Sequence, residues 1–237
     1  MIKLITFVAR QPGLSAEEFH EHWRGDHAAR IAKNPAAAEH LLRYEQNRRK
    51  PRDYDRTEAP YDGAAVQWYD SWDGFLAMVA DDRYRDVSAH EPELLDLERC
   101  LIVFTEPEQE VIAGPDERPE SLTKLVCGVR RKPGMDLDEF HKYWWEVHGP
   151  LNADTPAVRK YFIRYEQNHR LAEDFDRDDS EIEGVTIEWF PSTRHFFGMA
   201  TDPDSRDVIA ADEQKFLDTD RLVWILTEAE TTVLDRT

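Results

Sequence analysis

Residues 2–10 are β-prone, with Ile2, Leu4, Thr6 and Val8 on one set of alternate positions and Lys3, Ile5, Phe7 and Ala9 on the other. This period of two predicts a strand that ends at the turn Gln11-Pro12-Gly13. The period then changes. Ser15 stands three residues before Glu18, the spacing of a capping box, and predicts a helix running to about residue 30. Residues 41–48 and 63–70 read as further strands with a polar loop between them. A short helix is expected from Asp73 to about Asp82, another helical stretch near 86–98, and a last strand over 99–106. The order strand, helix, strand, strand, helix, strand fits a four-stranded antiparallel sheet with helices on one face.

The whole pattern occurs twice. The string RYEQN stands at Arg43–Asn47 and again at Arg164–Asn168. Around it Pro12-Gly13 matches Pro133-Gly134, Glu18-Phe19-His20 matches Glu139-Phe140-His141, and Trp23 and His27 match Trp144 and His148. Gly63, Trp68, Phe75 and Met78 match Gly184, Trp189, Phe196 and Met199. In the second copy Asp136 precedes Glu139 by three, a variant of the same cap, and Gly149-Pro150 is expected to stop the helix just after His148. A repeat of this length is the size of a small domain and too long for a solenoid unit. Two domains are therefore expected, 1–106 and 122–237, joined by a linker over 107–121 that carries three prolines and a glycine. Each four-stranded sheet would keep one face in need of cover, and two such sheets can face each other and close into a barrel.

Composition narrows the class. The chain has 237 residues, is 41% hydrophobic and contains seven Trp, enough apolar material for a packed core. Its net charge of −19 repels phosphate backbones, so nucleic acid is excluded as a partner. No apolar run reaches the roughly 20 residues of a membrane span, and the N-terminus lacks the features of a signal peptide. Cys100 and Cys127 form no disulfide framework and do not occupy equivalent positions in the two copies. A soluble cytoplasmic protein without a cysteine nucleophile is expected.

The candidate chemistry lies on the first helix and on RYEQN. In a regular helix His20 and His27 would lie about 20° apart, with Trp23 about 60° from His20, and the second copy repeats this with His141, Trp144 and His148. Trp23 and Trp144 serve core packing as readily as a pocket wall, and structural hydrogen bonding is the alternative role for His20 and His141. His27 and His148, expected near a helix end, are the better candidates for general acid or base. His20, His22 and His27 do not make a metal set, because positions two apart diverge on a helix and Tyr143 replaces His22 in the second copy. On the RYEQN strand Arg43, Glu45 and Asn47 point one way and Tyr44 and Gln46 the other. Tyr44 and Tyr165 could polarise a carbonyl or be satisfied within the sheet. There is no glycine-rich phosphate loop and no G-x-S-x-G elbow.

The segments RQPGLSAEEFHEHWRGDHA and RRKPGMDLDEFHKYWWEVHGPL resemble the EthD family of dimeric α+β-barrel proteins, through the PG turn, the Phe-His and Trp of the helix and the His that closes it. The resemblance covers both halves. It implies α+β, ferredoxin-like repeats whose antiparallel sheets pack into a barrel, here within one chain, with a ligand cavity between helix and sheet. Related barrels include cyclases, decarboxylases, dehydratases, cofactor-free monooxygenases, isomerases and haem enzymes. The family's helix-closing histidine corresponds to His27 and His148, and the second copy is closer to the family type because the first has Ala28-Ala29 in place of Gly149-Pro150.

The expected function is a cofactor-independent lyase or cyclase acting on a small hydrophobic aromatic or polyketide-like molecule. His27, His148, Tyr44 and Tyr165 are the expected catalytic residues. His20, His141, Trp23, Trp144, Asn47, Asn168, Trp68 and Trp189 are expected to bind substrate. A non-catalytic binding or accessory protein and a haem-binding barrel are the alternatives, and a homodimer of the tandem chain is compatible with each.

Overall fold

The computed structural model describes residues 1–56, 60–115, 119, 121–175 and 182–237. The chain divides into two units. Unit 1 is Met1–Pro107 together with Glu230–Thr237, and unit 2 is Glu108–Ala229.

Unit 1 begins with β1 (Ile2–Val8), followed by α1 (Ala16–His22), a π turn (Trp23–His27), α2 (Ala28–Lys33) and α3 (Pro35–His40). Next come β2 (Leu41–Arg48), a 3-10 turn (Pro51–Asp55), β3 (Gly63–Tyr69), α4 (Trp72–Ala80), α5 (Arg85–Leu94) and β4 (Leu101–Thr105). Unit 2 repeats the series with β5 (Gln109–Ile112) in front of it. It contains β6 (Thr123–Val129), α6 (Leu137–Tyr143), a second π turn (Trp144–His148), α7 (Gly149–Asp154) and α8 (Pro156–Arg159). Then follow β7 (Arg164–His169), α9 (Ala172–Phe175), β8 (Gly184–Phe190), α10 (Thr193–Thr201), α11 (Pro203–Phe216) and β9 (Val223–Thr227). The last strand, β10 (Thr231–Asp235), belongs to unit 1.

Both sheets are antiparallel and five-stranded, in the orders β10-β2-β3-β1-β4 and β5-β7-β8-β6-β9. Four strands of each follow the expected ferredoxin-like order. The fifth was not foreseen: Gln109–Ile112, inside the expected linker, pairs with β7, and Thr231–Asp235 pairs with β2. Each is short and carries a register shift, between Glu110 and Ile112 and between Thr232 and Leu234, which breaks the period-two signal. The first helix also departs from expectation. It continues through Gly149-Pro150 to Asp154, because proline is tolerated in the first turn of the segment that restarts after the π turn.

The helices open as the sequence dictates. The Ser15 side chain accepts from the Glu18 N–H while Glu18 bonds back to the Ser15 N–H at 2.9 Å. A cap of this kind contributes roughly 1 kcal/mol. Phe19 and Trp23 stack at 5.5 Å in the core of unit 1, and both are buried. In unit 2 Phe140 and Trp144 pack with Cys127, Val129, Phe216 and Leu217. A second cluster joins Ile112 of β5 to Val158, Phe162, Tyr165, Phe190, Phe196 and Leu226. The extra strand therefore contributes to the core as well as to the sheet edge.

The tryptophan of each helix rests on a glycine that begins the neighbouring strand. A Cβ on Gly63 would lie 2.6 Å from the Asn47 carbonyl oxygen and 2.9 Å from Cζ3 of Trp23. On Gly184 it would lie 2.6 Å from the Asn168 carbonyl oxygen and 2.7 Å from Cζ3 of Trp144. Gly63→Ala and Gly184→Ala are each expected to cost about 1–3 kcal/mol in urea denaturation, as overpacked sites do. Gly25→Ala, with nothing within 4 Å, should leave stability unchanged or raise it.

Candidate functional site

The π turn decides which side chains share a face. The Ala28 N–H bonds to the Trp23 carbonyl five residues back, and the Gly149 N–H to that of Trp144. Accommodating one extra residue rotates everything beyond the turn by about 100°. His20 and His27, about 20° apart on an ideal helix, consequently diverge, as do His141 and His148.

The RYEQN strand holds this turn in place. Gln46 Nε2 donates to the Trp23 carbonyl at 2.8 Å and to Tyr44 Oη at 2.9 Å. Gln167 does the same to the Trp144 carbonyl and Tyr165 Oη, at 2.8 and 3.0 Å, and Trp144 Nε1 adds a bond to Tyr165 Oη at 3.2 Å. Burial raises the pKa of both tyrosines. Asn47 and Asn168 donate to the carbonyls of Ala64 and Val185 on the adjacent strand. Arg43 lies on the opposite face of the same strand, its guanidinium 5.2 Å from the ring of Trp68, and Arg164 likewise meets Trp189 at 5.0 Å. Trp68 and Trp189 are thus not brought together with the helix histidines.

Beyond the turn the two copies differ. His27 is buried and stacks on His90 of α5 at 6.3 Å, and among the described residues its Nδ1 has no hydrogen-bond partner. Burial, reinforced by the His90 charge, lowers its pKa to about 4. At the equivalent place His148 Nδ1 donates to Asp212 Oδ2 at 2.8 Å, and Nε2 accepts from the Asn152 amide at 3.1 Å. Tyr143 Oη donates to the other Asp212 oxygen at 2.7 Å. Burial pushes the Asp212 carboxyl up, but these hydrogen bonds outweigh it and hold the pKa at about 2. Both ring nitrogens of His148 are therefore engaged. Burial also raises three half-buried carboxyls that periodicity did not single out: Glu91 of α5 to about 7, Glu188 of β8 to about 8, and Glu213 of α11.

Before the turn, His20 faces a groove of about 990 Å³ in unit 1, lined by Glu17, Glu21, Arg24, Arg48, Tyr54 and Thr231 among others. His20 Nε2 is 3.0 Å from Tyr54 Oη, and that hydroxyl donates to Asp62 Oδ1 at 3.0 Å. Asp62 is also paired with Arg10. With the tyrosine proton directed at Asp62, His20 donates through Nε2, which leaves Nδ1 as the free acceptor. Burial, then the charges of Arg48, Arg10 and Arg24, lowers the His20 pKa to about 3. Tyr54 is located by the Arg49–Asp53 ion pair at 2.8 Å, with the Arg49 guanidinium 4.5 Å from its ring. In unit 2 the same frame, Arg170–Asp174, carries Phe175 instead. There His141 Nε2 donates to the Glu183 carbonyl at 3.1 Å. His169, the counterpart of Arg48, stacks on Trp144 at 4.7 Å and 5° and lies 4.6 Å from His141.

Tyr54, Asp62, Arg48 and Asp212 were not singled out from sequence. A signal for the frame existed: Arg10 and Arg131, Asp62 and Glu183, and Arg49-x3-Asp53 and Arg170-x3-Asp174 recur at the repeat offset. Among the described residues no three His, Cys, Asp or Glu side chains converge as a metal site requires, and no helix is long and apolar enough to cross a membrane.

The EthD domain profile matches residues 11–98 and again 132–220. A conidial pigment biosynthesis dehydratase, EthD, of Metarhizium robertsii is 28% identical over 114 residues, 44% of this chain and 79% of that protein. The dehydratase ustZ of Ustilaginoidea virens is 28% identical over 102 residues, 38% of this chain and 71% of that protein. Each match therefore spans about one repeat. An anthrone oxidase-like protein of known structure superposes with a TM-score of 0.62 at 9% identity, covering 100% of this chain and 94% of its own, and so shares the fold.

The titration of this region has a defined sign. His20 and His27 have folded-state pKa values below the ordinary 6.5, so the stability they confer is present above that pH and lost as pH falls toward 4 and below. Glu91 is the reverse: its contribution is present below 4.5 and lost as pH rises through about 7. His27→Gln should flatten the acid-side loss of stability by at most about 1.4 kcal/mol per pH unit. Glu91→Gln should gain on the unmodified chain between pH 5 and pH 8. Urea midpoints across this range check both.

Proposed function

The chain belongs to the EthD domain family in both of its halves, and we propose on that footing that it is a dehydratase-type enzyme whose chemistry takes place in the groove around His20. The observation that carries the reading is the chain from His20 Nε2 through Tyr54 Oη to the Asp62 carboxylate, with His20 and Tyr54 in the wall of that groove and Asp62 behind them. The substrate class that fits is a hydroxylated aromatic or polyketide-like carbonyl compound, the kind of molecule suggested by the pigment pathway in the name of one relative.

Eliminating water from a β-hydroxy ketone needs a base for the proton beside the carbonyl and an acid for the departing hydroxyl. Neutral His20 can serve as both. Its free nitrogen takes the proton, the C–H electron pair becomes the new double bond, and the C–O bond breaks. The imidazolium then returns its proton to the hydroxide, which leaves as water. No electrons are gained or lost overall. Tyr54, held against Asp62, fixes the tautomer of His20 and steadies the imidazolium, as the carboxylate of a Ser-His-Asp triad does. Arg24 supplies positive charge for the developing enolate oxygen. His27 and His148 sit beyond the π turn and do not line the groove. Tyr44 and Tyr165 are fully enclosed and serve this reading as supports of the helix.

Release of 1-naphthol from 3-hydroxy-1-tetralone provides the assay. His20→Ala is expected to lower kcat by roughly 10²–10⁴-fold, the range for losing a positioned acid-base group. Tyr54→Phe should lower kcat more than it changes KM, because it removes an orienting contact and not a substrate contact. Activity within twofold of the unmodified chain in His20→Ala would remove His20 from the mechanism.

A further inference from the structure

Among the described residues, two side chains that line the unit 1 groove, His20 and Arg48, each have a buried nitrogen without a hydrogen-bond partner, Nδ1 and Nε, and Gln46 Oε1 on the same face of β2 is unpartnered too. Buried polar atoms are nearly always satisfied, so their grouping beside an open groove points to a ligand that would satisfy them. The strand explains their grouping. Gln46 and Arg48 are two apart on β2 and therefore share the face that Tyr44 turns toward the helix. His20 reaches the same space from α1, where its ring lies 6.1 Å from that of Trp23.

Arg48 is the unusual member. It is half-buried, and among the described residues its side chain makes no hydrogen bond or ion pair, whereas the neighbouring Arg43 and Arg49 each hold a carboxylate. A guanidinium left unpaired next to a catalytic imidazole needs an anion, and its fork suits a carboxylate or phenolate oxygen. Glu17 and Glu21 line the groove from the exposed side of α1, so the acidic rim and the basic floor are separate. The orphan Gln46 oxygen can accept a hydroxyl proton.

Unit 2 has the same strand and the same glutamine, but there the orphans are gone. His169 occupies the position of Arg48 and donates to Gln167 Oε1 at 3.2 Å. Its ring fills the space over Trp144. Among the described residues neither His141 nor Gln167 has a buried side-chain atom without a partner.

We propose that the substrate of the unit 1 groove is an anion, a hydroxylated aromatic carrying a carboxylate or ionised phenol, that Arg48 is the residue recognising its charge, and that unit 2 offers no second site of this kind. The proposal rests on the groove being the seat of the chemistry, but binding tests it without turnover. A ligand charge at Arg48 would also cancel part of the field that suppresses protonation of His20, so the imidazole becomes a stronger base only when substrate is bound.

The test compares 2-naphthoate with its neutral isostere 2-naphthamide by calorimetry and by NMR of the histidine side chains. The full chain should bind one naphthoate, at least tenfold more tightly than naphthamide, with a rise in the His20 pKa. Arg48→Gln should abolish the preference, and Arg48→Lys, which keeps the charge without the fork, should retain part of it. Equal affinity for the two probes, an unchanged preference in Arg48→Gln, two equivalent naphthoates per chain, or no binding of naphthoate at millimolar concentration would each overturn the proposal. A chain that binds naphthoate through Arg48 but dehydrates nothing keeps this inference and loses the functional one.

Discussion

The arrangement of side chains in this protein depends on one hydrogen bond made twice, from a strand glutamine to the carbonyl of a helix tryptophan. Gln46 meets Trp23 and Gln167 meets Trp144, each at 2.8 Å. Both carbonyls also accept the N–H five residues ahead. A π turn is rare because its hydrogen-bond geometry costs stability, and it persists where a side chain holds it. Here the holding residue is fixed in turn by its tyrosine neighbour and by the tryptophan packed on Gly63 or Gly184. The turn directs the histidine before it toward the strand end and the histidine after it toward α5 or α11.

That constraint separates what could be read in the sequence from what could not. The two repeats, the strand order, the capping box and the face alternation of RYEQN follow from period and spacing, which are local properties. A π turn has no such signature. Trp23-Arg24-Gly25-Asp26-His27 and Trp144-Trp145-Glu146-Val147-His148 share only their ends. A regular 100° step therefore places His20 beside His27, whereas the π turn separates them and puts His20 in the lining of the groove. Tyr54 and Asp62 escaped for another reason: they lie in the long connection between β2 and β3, where periodicity carries no information, and they meet His20 only through tertiary structure. Arg48 could be located on its strand, but that it lacks a partner is visible only when its neighbours are known.

Duplication makes each unit a control for the other. The helix tryptophans, the glycines beneath them, the Tyr-x-Gln pair and the Arg-x3-Asp clamp are the same in both. These are packing and hydrogen-bonding positions, where a change costs stability in either copy. Among the positions where the copies part are Arg48 against His169, Tyr54 against Phe175, and His90 of α5 against Asp212 of α11, which meet the equivalent histidines His27 and His148. In unit 2 His141, His169 and Trp144 stack together, and the later histidine is held between Asp212 and Asn152.

The return of the last strand to the first sheet means that unit 1 is built from two separated stretches of chain, whereas unit 2, Glu108–Ala229, is continuous. Excised after Pro107, the first half would lack the strand that covers the outer edge of β2, and an uncovered edge is an invitation to aggregate or to recruit the same segment from a sister molecule. Two separate chains cut there could complete the first sheet only if the second lent its tail, at a rate and extent set by their concentration. Joining them in one polypeptide makes that loan intramolecular and independent of dilution, which leaves each copy free to diverge without losing its sheet.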